Sequence, residues 1–205
     1  MKTVPSMIVA LSAVILFAGS SLAGSVDLPR TGQVLCYDSA GKSIACTNTG
    51  QDGDKQAGNP IPVPRFTDNN NGTATDNLTG LVWLRNASCF GNKTLSDAIT
   101  AATGLVSGAC GLSDGSKAGD WRLPNINELR SLVDYSRVNP SLTAGHPFYN
   151  IAGYLGYRSS SDSDGSYNLT VTMYAYSTYP SGNVYTGGGH KYSADSAVWP
   201  VRNSQ

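Results

Sequence analysis

The chain has 205 residues, with 14 basic and 14 acidic side chains, and is formally neutral. The basic residues are scattered, from Lys42 and Lys55 through Arg85, Arg122 and Arg137 to Lys191, with no run or helical stripe among them. Phosphate binding needs a concentrated basic face, so composition argues against a nucleic-acid partner.

Residues 1–23 read as a secretory signal peptide. Lys2 supplies a thin positive end, Met7 to Ala18 is an apolar run, and Ser21-Leu22-Ala23 places small residues at −3 and −1 of a cleavage site after Ala23. The run falls short of the roughly 20 apolar residues that span a bilayer. Ser25 stands where a lipoprotein signal carries its lipidated cysteine. The expected product is therefore exported, periplasmic or extracellular, and neither membrane-embedded nor lipid-anchored. Removing 23 residues leaves 182, and losing Lys2 leaves 13 basic against 14 acidic side chains, a charge of −1. That length suits one domain with a real core.

All four cysteines, Cys36, Cys46, Cys89 and Cys110, lie in the exported part. An even count in an oxidising compartment implies disulfides. Of three pairings we favour Cys36–Cys46, closing a hairpin around Ser39-Ala40-Gly41-Lys42, and Cys89–Cys110, tying the start of a helical segment to the loop after it. A zinc site is the weaker reading, because no Cys-x-x-Cys pair occurs and His146 and His190 lie far along the chain.

Residues 24–64 read as an N-terminal arm with one small disulfide hairpin, and residues 65–205 as the domain proper. Asn69-Asn70-Asn71-Gly72 lies between two β-prone runs and predicts a hairpin, because Asn and Gly tolerate positive φ. A second turn at Asn77-Leu78-Thr79-Gly80 leads to the apolar run Leu81-Val82-Trp83-Leu84, read as a buried strand. The Asp/Asn cluster here lacks EF-hand spacing, and a looser calcium site stays open. Leu95, Ala98, Ile99, Ala102, Leu105 and Val106 fall on one face of a helix capped by Thr94. After a Gly-rich loop from Gly108 to Gly119, Asn125 and Glu128 form a capping box for a second helix, with Ile126, Leu129, Leu132 and Val133 as its apolar face. Strand-like runs follow at Leu169–Met173 and Ser196–Val201.

The segment from Tyr154 to Ser196 differs from the rest. It holds eight of the eleven tyrosines, nine serines and only five charged residues, Arg158, Asp162, Asp164, Lys191 and Asp195. Tyrosine gives a large, stiff, amphipathic contact surface, and Ser, Gly and Asn give adaptable hydrogen bonding, the composition of recognition loops. The plainer reading is a Tyr-rich antiparallel sheet, since Tyr favours strands. On the recognition reading, Tyr157, Arg158, Tyr167, Tyr174, Tyr176, Tyr179, Asn183, Tyr185 and Tyr192 face a ligand. Trp83, Trp121 and Trp199 are read as core anchors.

Three motifs occur in order: Thr67-Asp68 … Gly72-Thr73 … Thr75-Asp76 … Thr79-Gly80-Leu81-Val82-Trp83; Gly119-Asp120-Trp121-Arg122-Leu123-Pro124-Asn125 … Glu128-Leu129; and Val198-Trp199-Pro200-Val201-Arg202. Together, over roughly Arg65 to Arg202, the chain resembles the family named for the C-terminal domain of the Legionella collagen-like adhesin. The resemblance implies an α+β, C-type-lectin-like fold: two short helices, small antiparallel sheets joining the chain ends, and a long C-terminal loop and strand region that carries recognition. It also implies an extracellular or periplasmic binding module; for the collagen-like adhesin it implies a trimer that binds sulfated glycans. Related lectin-like folds serve as display scaffolds diversified by retroelements, and the Tyr-rich segment is similar to their varied region. One departure stands out: where the family reads Tyr-Trp-Ser-Ser-Thr, this chain has Tyr157-Arg158-Ser159-Ser160-Ser161, which is expected to turn a packing position into a displayed cation. The scattered basic charge also argues against sulfated glycans.

No enzymatic activity is expected. The histidines lack positioned partners, no Gly-x-Ser-x-Gly elbow occurs, every cysteine has a disulfide partner, and Asp162-x-Asp164 reads as a solvated loop. The expectation is an adhesion or ligand-binding module with no cofactor and no metal, whose partner is a surface protein or glycan and which is a candidate homo-oligomer. The alternative is a self-assembling surface or appendage component.

Overall fold

The computed structural model describes residues 28–153, 156–162, 167–172 and 186–204. The expected signal peptide lies outside the described residues, as do Tyr154, Asp164, Tyr174, Tyr176, Tyr179, Asn183 and Tyr185.

The arm is built from turns. Strands β1 (Cys36–Tyr37) and β2 (Ser43–Ile44) pair antiparallel, with Cys36 opposite Ile44. The Asp38 carboxylate accepts from the amides of Ala40 and Lys42, which fixes the turn between them. The Cys36–Cys46 disulfide forms as expected. A four-residue helix, α1 (Asp52–Lys55), follows the hairpin and ends on Gln56 in the left-handed region. A Cβ on Gly53 would lie 2.9 Å from Cys36 Sγ, so only glycine lets α1 seat against this disulfide. The arm joins the domain where the Tyr135 amide donates to the Thr31 carbonyl at 2.9 Å.

The domain contains strands β3 (Phe66–Asp68), β4 (Thr73–Asp76), β5 (Leu81–Leu84) and β6 (Asn92–Lys93), helices α2 (Leu95–Thr103) and α3 (Ile126–Ser131), then β7 (Tyr157–Asp162), β8 (Tyr167–Val171), β9 (Thr186–His190), β10 (Ser196–Ala197) and β11 (Val201–Asn203). One sheet has the order β11-β5-β4-β3 and is antiparallel throughout, so the first and last strands of the domain share it. The other has the order β6-β10-β7-β8-β9. It is not wholly antiparallel as expected: β10 returns after the long C-terminal excursion to lie parallel to β7, with Ala197 opposite Tyr157. The result is an α+β architecture of few helices and several small sheets.

Local chemistry explains these boundaries. The Asn-Gly hairpin forms between β3 and β4, with Asn70 and Gly72 both at positive φ. At Gly72 a Cβ would also collide with the Gly111 carbonyl, so the loop carrying Cys110 closes over the hairpin only because that side chain is missing. Thr94 caps α2 by accepting from the Asp97 amide, and the Asn125–Glu128 capping box is complete. The helix α2 stops at Thr103 rather than Val106, and Ile99 is 44% exposed. Its buried stripe is narrower than the pattern suggested: within the helix only Ala98 and Ala102 bury, against Leu123 and Val198, while Leu105 is buried just beyond its end. The run expected at Ser196–Val201 is two short strands separated by Val198-Trp199-Pro200.

The core is aromatic. Trp83, Trp121 and Trp199 are fully buried, as anticipated. Trp199 sits at the hub, with Trp83 at 5.5 Å, Phe148 at 4.9 Å and Tyr157 at 4.8 Å between ring centroids. Its indole N–H donates to the Leu84 carbonyl at 2.7 Å. Such pairs each add about 0.5–1.5 kcal/mol beyond area burial. The Cys89–Cys110 disulfide lies against this core.

Candidate recognition surface

The charged residues of the sequence motifs are structural. Arg65 and Asp76 are buried and bidentate, at 2.7 and 2.9 Å, and Arg65 also donates to the Ser131 carbonyl. Asp76 further accepts from the Leu78 amide and the Thr79 hydroxyl, so it shapes the turn before β5. Arg122 and Glu128 form a second bidentate pair at 2.6 and 2.7 Å. Burial pushes the Glu128 carboxyl up, but Arg122 and the Asn125 amide together outweigh it and hold the group below its ordinary value. Arg202 lies over the Trp121 ring and pairs with Asp114 at 3.3 Å.

The outward groups lie on β7–β9 and the turn after them. β7 is central in its sheet, and successive side chains point to opposite faces. Tyr157 packs on Trp199 and its hydroxyl accepts from the Ala152 amide at 2.6 Å. It is fully buried, so its expected place on the ligand face is corrected: it belongs to the core.

Arg158 is corrected in the same way. It is fully buried, not a displayed cation, because the segment His190–Asp195 closes over the face opposite Tyr157. Its guanidinium donates to the carbonyls of Lys93 at 3.1 Å, His190 at 3.3 Å and Ser193 at 2.9 Å, to Asn168 Oδ1 at 3.5 Å, and to Asp195 Oδ1 at 2.7 Å. Burial draws its pKa below the ordinary guanidinium value, and the Asp195 carboxylate opposes that shift. Asn168, also buried, donates to the carbonyls of Ser159 and Ser161 and bridges the irregular pairing between β7 and β8.

Beyond this interior the surface opens. Tyr167 on β8 is 38% exposed and faces His190 on β9, with ring centroids 4.4 Å apart. Tyr192 is 83% exposed at the tip of the following turn. The ammonium of the preceding residue, Lys191, meets Asp162 at 2.9 Å. Of the expected ligand-facing residues, the structure leaves Tyr167 and Tyr192 exposed and withdraws Tyr157 and Arg158; the other five lie outside the described residues.

Sequence reasoning missed His190, set aside for want of a positioned partner, and Asn168 and Asp195, which build the base of the turn. A polar Asn between Tyr and Leu in a strand was the available signal for Asn168. Among the described residues, no group of three or more His, Cys, Asp or Glu is placed to hold a metal ion, and no helix is long and apolar enough to cross a membrane.

No curated protein and no solved structure matches the chain. The profile of the Lcl C-terminal domain matches residues 72–202, which begins in the β3–β4 turn and ends in β11, covering all three Trp anchors and the turn that carries Tyr192. The chain belongs to the Lcl C-terminal domain family.

Proposed function

We propose that the chain is an exported, surface- or adhesin-related binding module of C-type-lectin-like organisation, without enzymatic activity, that contacts its ligand through the tyrosine-rich C-terminal face. Family membership and two disulfides support the coarse reading. The observation that carries the finer one is the division of labour around β7. Every motif Trp is locked in the core, whereas Tyr167 on β8, His190 on β9 and Tyr192 on the following turn are exposed, and the base of that turn is pinned from within. Stiff aromatic side chains on a fixed support are what low-entropy recognition requires. Tyr174, Tyr176, Tyr179, Tyr185 and Asn183, which lie outside the described residues, join this reading by composition.

The ligand is met by aromatic and hydroxyl groups rather than by charge. Residues 154–196 hold two cations, Arg158 and Lys191, and both have carboxylate partners. Binding to a glycan or surface-protein array, compared at low and high salt, tests this. Signals that persist as the screening length falls from about 10 to 3 Å fit aromatic recognition. Signals confined to sulfated glycans and abolished by salt overturn it, and concentration-dependent self-assembly without array binding favours the assembly-subunit alternative.

A further inference from the structure

We propose that Arg158 is the positioning residue of the 190–195 turn, setting from inside the sheet how Tyr192 is presented; the functional half of this inference rests on the recognition reading above. Three of its five contacts go to that turn: the carbonyls of His190 and Ser193 and the Asp195 carboxylate. The other two, to Lys93 on β6 and Asn168 on β8, tie the turn to strands far apart in sequence. A guanidinium supplies five donors in a fixed fork, and no lysine reproduces that geometry.

The turn has a held base and a free tip. The Leu95 amide donates to the Lys191 carbonyl at 2.9 Å, and the Ser193 amide to the His190 carbonyl at 3.1 Å. Tyr192, Ser193 and Ala194 are all exposed. Asp195 Oδ1 also accepts from the Ser196 hydroxyl at 3.0 Å. It would lie 3.2 Å from a Cβ on Gly189, so the bare glycine lets the carboxylate lie close against β9. Arg158 itself is sealed from solvent, whereas the Asp195 side chain is 34% exposed. The clamp can therefore be weakened at Asp195 without opening the core around Tyr157.

The test is tryptic cleavage after Lys191, followed by mass spectrometry on the disulfide-intact protein without ligand. Lys191 immediately precedes the tip, and its side chain is held to Asp162. When opening is faster than cleavage, the rate reports the population of the opened turn. Asp195→Ala is expected to raise cleavage after Lys191 at least about tenfold, the scale set by losing the charge-assisted bond to Arg158. Cleavage after the exposed Lys117 and Arg137 should stay constant. Asp195→Asn keeps an acceptor facing Arg158 and is expected to restore part of the protection. Unchanged cleavage after Lys191, or an equal rise at all three sites, overturns the inference. Because no ligand is used, a failure here leaves the recognition reading standing, and a failure of the array leaves the clamp standing.

Discussion

Replacing Asp76 with Ala tests the claim that the motif charges are structural. The carboxylate is fully buried, and its loss leaves the Arg65 guanidinium, only 2% exposed, leaning on the Ser131 carbonyl. It also frees the Leu78 amide and the Thr79 hydroxyl. Removing one partner of such a buried pair costs about 3–5 kcal/mol, against a typical total of about 5–15 kcal/mol for a domain. Urea unfolding followed by tryptophan fluorescence, disulfides intact, should show the midpoint falling with an unchanged slope. The double variant Arg65→Met with Asp76→Leu removes both charges and is expected to regain most of the loss, since an apolar pair of similar volume is often neutral. A cost below about 1 kcal/mol for Asp76→Ala would refute the reasoning, because a buried guanidinium cannot lose a bidentate partner so cheaply.

Other consequences are separable. Tyr192→Ala should change stability by no more than about 0.5 kcal/mol, as for an exposed side chain, while weakening array binding; a large drop in melting temperature would make Tyr192 a packing residue. Cys89→Ala with Cys110→Ala opens a loop of sequence separation 21 and is expected to cost about 3 kcal/mol in thermal or urea unfolding. The folded pKa of Glu128 lies below its ordinary 4.5, so its pairing with Arg122 is fully present above that value and lost as pH falls through the lowered one. Glu128→Gln should therefore flatten the acid limb of a stability–pH curve and leave its neutral part parallel to wild type. His146 is shifted down by burial, so it disfavours folding below its ordinary 6.5, and His146→Gln should make stability less sensitive to pH on descending through that range.

The sequence spoke clearly where local chemistry decides. The Asn-Gly hairpin, the Thr94 cap, the Asn125–Glu128 box and both disulfide pairings depend on near neighbours or on few combinations, and all five occur. The Trp anchors were legible because large rings at strand edges have few other places to go. Arg158 was misread because its burial is non-local. A cation in a serine-rich run reads as exposed, and what covers it comes from residues 32 to 37 positions later. Ile99 failed for the opposite reason: helical periodicity marks a possible buried face but not how wide a stripe the neighbours cover. Asp195 and His190 carried no local signal, since their roles arise only when β9 pairs with β8 and the turn folds back on β7.

The most direct test of the account compares residues 24–205, disulfides intact, with a Tyr167→Ser, Tyr192→Ser variant on one array of glycans and surface proteins, with unfolding curves recorded for both. The account predicts that the variant loses binding and keeps its unfolding midpoint. Retained binding by the variant, or binding lost in step with stability, would contradict it.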